Sequence, residues 1–243
     1  MNELVKLGEK TYVIKSPVNV GIYVLTNNNV CLIDTGNSKD SAKVIAKILE
    51  EHNWHLQYII NTHSHADHIG GNKYLQDKYN CRIFSSLIES YFINEPMLEP
   101  SLLYGSVPPK DLHTHLLLAK PSVCENIDNM DIDGIEVINL EGHAKGLIGI
   151  VTSDNVCFVG DAYTSSKILN KYAIQYTFDV TKFLDTLNFL KTTSYNYYVP
   201  SHGEIESDIQ STIDANYNNM LEIENGVLKL IDTSIKYTDY LIN

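Results

Sequence analysis

Long hydrophobic runs are missing from this sequence. No stretch of eighteen or more apolar residues occurs in its 243 positions, so a membrane-spanning helix is not expected. The opening residues, MNELVKLGEKTYVIKS, contain no extended apolar segment of the kind a secretion signal needs, and a cytoplasmic location is the resulting expectation. Positive charge is scarce: 18 Lys and Arg stand against 30 Asp and Glu, a formal net charge of -12. That balance repels phosphate backbones and anionic lipid surfaces, so neither nucleic acid nor a membrane is the expected partner. A small molecule is the expected substrate, and assembly as a homodimer is left open. Cysteine is limited to Cys31, Cys81, Cys124 and Cys157, with no C-x-x-C spacing, and two of them lie inside the apolar runs NVCLID and NVCFVG. Buried free thiols are expected, rather than disulfides or a thiolate metal site. No Pro/Gly/Ser-rich seam, repeat or low-complexity tract interrupts the chain, so residues 1–243 are expected to form one domain.

What is present is an alternation of strands and helices. Tyr12–Ile14, Val20–Thr26 and Val30–Asp34 read as strands, the last two joined by Asn27-Asn28-Asn29 as a hairpin. Ser38 reads as the cap of a helix ending near Asn53, with Ala42, Ile45, Ala46, Ile48 and Leu49 on its apolar face. Gln57–Asn61 and Cys81–Phe84 read as strands and Asn72–Tyr79 as a helix. From Ser86 to Ile127 the prolines Pro96, Pro100, Pro108, Pro109 and Pro121 break any clean period. Residues 86–127 are therefore read as a helical and irregular insertion, either a wall or lid over a pocket or a segment packed on the core. Strands follow at Glu136–Leu140, Gly149–Thr152, Val156–Val159 and Asn196–Val199. Helices are expected at about Lys182–Thr192 and from Asp208 to Ile231, the latter with a kink near Gly226. This order implies an α/β sandwich.

The segment Thr62–Gly71, THSHADHIGG, packs three imidazoles and a carboxylate into residues 63–68 directly after a strand. Three later strands also run into potential ligands: Glu136–Leu140 into His143, Val156–Val159 into Asp161, and Asn196–Val199 into His202. In an ordered sheet such strand ends lie along one edge, so His63, His65, Asp67, His68, His143, Asp161 and His202 can converge. Imidazole and carboxylate suit zinc, iron or manganese, and the absence of cysteine from the set argues against a closed structural zinc site. Catalysis is favoured over scaffolding. His63 and His65, two apart, point the same way and can chelate one ion, while Asp67 and His68 open the next helix and face a neighbouring position. The remaining histidines, His52, His55, His113 and His115, are read as surface or packing residues. Tyr104 and Tyr163 are candidate pocket residues.

On these residues the chain resembles the metallo-β-lactamase fold hydrolases, whose H-x-H-x-D-H motif appears here as HSHADH. The resemblance implies a four-layer αββα sandwich carrying the helical insertion. It also implies a first metal on His63, His65 and His143, a second on Asp67, His68 and His202, and Asp161 bridging them. Two divalent ions are the implied cofactors, zinc first and iron or manganese as alternatives. Asp34-Thr35-Gly36 matches the family's DTG, which supports the site from behind its ligands. Asp67 is the implied catalytic residue, orienting a water that the two ions activate against an ester, thioester or lactone-like carbonyl.

A bridging aspartate is similar to the thioesterase and lactonase branches, whereas the β-lactamases of this fold lack it. The glyoxalase-type thioesterases carry HTPGHT where this chain has EGHAKG, with Lys145 in the region of the usual proline, and the C-terminal helix has no basic cluster for a glutathione carboxylate. The rival readings are a single-iron persulfide dioxygenase, a phosphodiesterase or β-lactamase of the same fold, and a non-catalytic binding module. Oxygen uptake and metal content separate the first from a hydrolase.

Overall fold

A computed structural model of the chain describes residues 3–114, 117–172 and 174–239. Strands β1 (Glu3–Lys6), β2 (Thr11–Lys15), β3 (Val20–Val24) and β4 (Asn29–Ile33) form an antiparallel meander. The β3–β4 turn places Asn27 and Asn28 at φ 57° and 60°, a left-handed conformation that asparagine tolerates better than most side chains. Helix α1 (Lys39–Glu51) starts where the Ser41 N–H donates to Ser38 Oγ at 3.3 Å, satisfying one of its free amides. It buries Ala42, Ile45, Ala46, Ile48 and Leu49, the face marked by the periodicity.

The chain then winds through β5 (His55–Ile60), α2 (Ala66–Ile69), α3 (Asn72–Tyr79), β6 (Arg82–Ser85), α4 (Leu87–Asn94), α5 (Leu98–Tyr104) and β7 (Cys124–Asn126). From β4 to β7 the strands are parallel and complete a seven-stranded sheet in sequence order. The second sheet contains β8 (Ile135–Asn139), β9 (Ile148–Thr152) and β10 (Val156–Gly160). Helices α6 (Ser166–Lys171) and α7 (Val180–Lys191) then lead to β11 (Tyr197–Pro200), which pairs parallel to β10, and α8 (Gln210–Asp239) closes the described chain. Because β8 and β10 are each antiparallel to β9, strands β8, β10 and β11 all point the same way.

Period-two alternation divides the side chains among three apolar layers. On β4, Cys31 and Ile33 face inward with Phe84, Ile150, Phe158 and Val199, forming the core between the sheets. Val30 and Leu32 face the opposite way, against Ile45 and Leu49 of α1, Leu75 of α3 and Ile93 of α4. On the other sheet, Cys157 and Val159 pack against Phe183 and Leu187 of α7 and Ile213 of α8. The layers are helix, sheet, sheet, helix, as the resemblance implies. Strands buried on both faces explain why NVCLI and VCFVG are continuously apolar instead of alternating. All four cysteines are buried free thiols, as expected.

The 86–127 region differs in one respect from the sequence reading. It contains α4, α5 and a 3-10 turn at Lys110–Leu112, but it ends in β7, which extends the first sheet through Ile83↔Cys124 pairing. A three-residue edge strand is too short to reveal a period, and the same brevity hides β1 and α6. Helix α8 runs as one element through Gly226 and on to Asp239.

Among the described residues, no helix is long and apolar enough to cross a membrane. Leu32, with no exposed surface, joins the central strand to α1. Leu32→Ala is expected to reduce unfolding free energy by about 2–5 kcal/mol, read as a lower urea midpoint at unchanged slope.

Candidate metal centre

The site is built at the ends of parallel strands, starting with the loop after β4. Asp34 is buried and adopts φ 60°. Its Oδ1 accepts the Thr62 N–H at 2.8 Å, and its Oδ2 accepts the Thr62 hydroxyl at 2.8 Å and the His68 Nδ1–H at 3.0 Å. One carboxylate thereby fixes the start of the histidine-rich loop and the rotation of its last imidazole. The loop can lie this close because Gly70 has no side chain: a Cβ there would sit 2.3 Å from the Asn37 carbonyl carbon.

The partners assign each imidazole's tautomer. His63 donates from Nδ1 to Thr62 Oγ at 3.1 Å, His143 from Nδ1 to the Tyr176 carbonyl at 3.2 Å, and His202 from Nδ1 to the Pro17 carbonyl at 3.0 Å. Nε2 of His63 and of His143 is thereby left bare, whereas Nε2 of His202 faces Asp67 Oδ2 at 3.0 Å, a contact that a proton or a cation must fill. His65 is reversed: Nε2–H donates to Glu99 Oε1 at 3.0 Å, and Nδ1 faces His143 Nε2 at 3.0 Å. Two lone pairs pointed at each other over that distance repel unless a proton or a cation lies between them. Nε2 of His63 is buried with no hydrogen-bond partner, a costly arrangement in a low-dielectric interior unless something positive completes it, while Nε2 of His68 faces the carboxylates of Asp161 and Asp67 at 3.5 and 3.7 Å. The nitrogen and oxygen donors suit zinc, iron or manganese.

The structure brings all seven sequence-predicted residues together. Donor atoms lie within 4.8 Å of one another in three groups, His63–His65–His143, His63–His68–Asp161 and Asp67–His68–His202. Asp161 Oδ2 stands between them, 3.5 Å from His68 Nε2, 3.5 Å from His143 Nε2 and 3.7 Å from His202 Nε2. Asp67 Oδ2 is 3.0 Å from His202 Nε2. These groups are able to hold metal ions. Other histidines stay apart: His52 stacks on Trp54 at 4.6 Å, His55 is exposed, and His113 Nε2 meets the Pro108 carbonyl at 3.1 Å. His115 lies outside the described residues.

Protonation follows from burial and charge. Burial holds His63 well below the usual imidazole range, aided by repulsion from His68 and His65. Burial likewise brings His143 down to about 4 against the pull of Asp161. At His68 burial acts in the same sense, but the charges of Asp161 and Asp67 overcome it and raise this imidazole well above its ordinary value. Burial opposes the charge on Asp161, yet His68, His202 and His143 hold its carboxyl well below the usual range.

Of the groups behind the donors, Asp34 was expected from its DTG and holds Thr62 and His68, whereas Glu89 and Glu99 were not expected. Glu89 of α4 is buried; its Oε2 accepts the Ser64 N–H at 2.9 Å and the Ser64 hydroxyl at 2.5 Å, and its Oε1 accepts the Gly146 N–H at 2.8 Å. One carboxylate thus ties the His65 loop to the His143 loop. Burial pushes the Glu89 carboxyl up. A lone acid inside the apolar LIESYFI was the available signal. Tyr176 was also missed; its ring lies edge-on to His65 and His143, with centroids 5.5 and 5.4 Å away. A mouth of roughly 260 Å³ opens over the donors between Leu103, Leu117 and Tyr176. A second recess of roughly 250 Å³ is lined by Tyr163, Tyr172 and His202. Tyr163 therefore does face the site, whereas Tyr104 is half exposed at the end of α5 and lines neither space.

Residues 13–202 match the family model of the Metallo-beta-lactamase superfamily, and the chain belongs to that superfamily. A hydroxyacylglutathione hydrolase of Pelagibacter ubique is 48% identical over 56 residues, 23% of this chain and 22% of that one. A hydroxyacylglutathione hydrolase of Haemophilus influenzae is 28% identical over 136 residues, 55% of this chain and 60% of that one. The chain spans less than two thirds of either relative. Among solved structures, a metallo-beta-lactamase from Pontibacter korlensis shares the fold, with a TM-score of 0.65 at 18% identity over 91% of this chain and 99% of that one.

His68, with its raised value, carries a proton at neutral pH in the cation-free protein, so an incoming cation must displace it. Loading is expected to release at least one proton, and affinity to fall about tenfold per pH unit for each proton displaced as pH drops below the His68 value. Calorimetric titration in two buffers of different ionisation enthalpy checks this; buffer-independent heats would contradict it.

Proposed function

We propose that this protein is a hydrolase with a two-cation centre acting on ester, thioester or lactone-like carbonyls. The observation that carries the reading is the set of inward imidazole nitrogens around Asp161, whose Oδ2 reaches toward both halves of the donor set. His63, His65 and His143 would hold the first cation, and Asp67, His68 and His202 the second, with Asp161 shared. When bound, such cations supply hydroxide from water by lowering its pKa to about 7, and Lewis acidity toward a carbonyl oxygen.

The chain's own groups do the rest. Asp67, 3.0 Å from His202 through Oδ2, orients the nucleophile and relays its proton to solvent, to which its side chain is one-third exposed. Asp34, Thr62, Glu99 and the carbonyls of Tyr176 and Pro17 hold the imidazole planes, which keeps reorganisation during reaction small. Leu103, Leu117 and Tyr176 offer an apolar seat for the acyl part of the substrate.

Charge around the mouth favours a neutral acyl group over a phosphodiester. No lysine or arginine is among the described residues lining the mouth or the adjoining recess. The chain's single arginine, Arg82, is paired with Glu125. The similarity to two hydroxyacylglutathione hydrolases supports a thioester. The EGHAKG loop and the sparsely basic α8 favour a thioester whose thiol part is not glutathione.

A panel of thioesters, lactones, simple esters, β-lactams and phosphodiesters, run on metal-quantified protein with oxygen uptake followed in parallel, tests the reading. Turnover is expected on thioesters or lactones without oxygen consumption. A flat response from protein holding two ions would defeat it, and oxygen uptake on a persulfide would replace it with the dioxygenase reading. His65→Ala is expected to lose the first-site ion and to reduce turnover by more than roughly 100-fold, beyond the usual effect of removing a group that only supports a ligand. A variant retaining both ions and full turnover would exclude His65 from the ligand set.

A further inference from the structure

Four of the five clustered imidazoles are anchored by groups of the sandwich or its inter-strand loops: Thr62 Oγ, Asp34, and the carbonyls of Tyr176 and Pro17. His65 is the exception, since its anchor, Glu99, comes from α5 in the segment outside both sheets. Helix α5 has little else holding it. Within its seven residues only Pro100 is buried, while Leu98, Leu102, Leu103 and Tyr104 are each 43–50% exposed. Glu99 is the opposite, with a side chain 15% exposed, Oε1 on His65 and Oε2 lying 2.9 Å from Ser64 Oγ. Its neighbour α4 is secured independently, through buried Ile93 and through Glu89.

From this arrangement we infer that Glu99 is a positioning residue that makes docking of α5 and cation occupancy at the His63–His65–His143 position mutually dependent. The coupling is electrostatic. A cation on His65 Nδ1 withdraws electron density from the ring and makes Nε2–H a stronger donor to Glu99. The Glu99 carboxylate in turn makes Nδ1 a better donor to a cation. Linkage requires the two effects to be equal: whatever factor the cation adds to α5 docking, docked α5 adds to cation affinity. Helix α5 also contributes Leu103 to the mouth, so one short element shapes the substrate's seat and holds the metal ligand below it. A substrate packed on Leu103 thereby favours the docked, cation-retaining arrangement.

The inference rests on the two-cation reading of the site and not on which bond is cleaved. Hydrogen exchange of residues 98–104 is followed in wild-type protein, metal-free and zinc-loaded, at alkaline pH where a proton does not substitute for the ion. In parallel, zinc affinity at each position is measured by chelator competition in wild type, Glu99→Gln and Glu99→Ala, together with the visible spectrum of the cobalt form. Loading is expected to protect α5 in wild type and not in Glu99→Ala. First-position affinity is expected to fall by about 10–100-fold in Glu99→Ala, and less in Glu99→Gln, which keeps the acceptor oxygen and loses the charge. The cobalt spectrum is expected to shift in Glu99→Gln although the helix stays docked. Wild-type α5 protection that ignores the cation, or first-position affinity equal in all three proteins, overturns the coupling while leaving the hydrolase reading intact. Wild-type protein that binds no cation overturns both.

Discussion

The arrangement depends on one buried carboxylate. Asp34 stands at the end of β4, and its accepted hydrogen bonds reach the side chain of Asn61, the backbone and hydroxyl of Thr62 and the ring of His68. A buried charge without partners would be expelled or protonated; here the partners are the first turn of the ligand loop and an imidazole held among further acids. The same contact therefore terminates a strand, starts a loop and aims a donor. Thr62 passes the constraint on, because its hydroxyl is bound to Asp34 and accepts from His63. Its carbonyl accepts the Ile148 N–H of the opposite sheet at 3.0 Å.

Much of the architecture was legible because it is written in local chemistry. The face of α1, the cap at Ser38 and the doubly buried strands follow from spacing and residue type. The seven donors were legible because each sits just past a strand end, so predicting the strands also predicted the convergence. The unread parts are those that depend on contacts between distant segments. Glu89 and Glu99 reach Ser64 across 25 and 35 residues of sequence, and nothing local to LIESYF or MLEPS states what those acids will meet. β7 was hidden by its length, and Tyr176 by the abundance of tyrosine, sixteen in the chain.

The acidic composition acquires a local meaning at the centre. Five imidazoles and two aspartates meet there, with Glu89, Glu99 and Asp34 just behind, so negative charge is concentrated around groups able to hold cations. The walls of the mouth, by contrast, are leucine and tyrosine. Polarity at the bottom and apolar surface at the rim match a substrate with one reactive polar bond and an otherwise oily body.

The donor set is also divided between the two sheets. His63, His65, Asp67 and His68 belong to the connection after β5, whereas His143, Asp161 and His202 follow β8, β10 and β11. Ions gripped by both sets would act as removable cross-links across the seam, and by mass action their concentration would set part of the sandwich's resistance to opening. In such a molecule, metal supply governs how long the fold survives as well as whether it works.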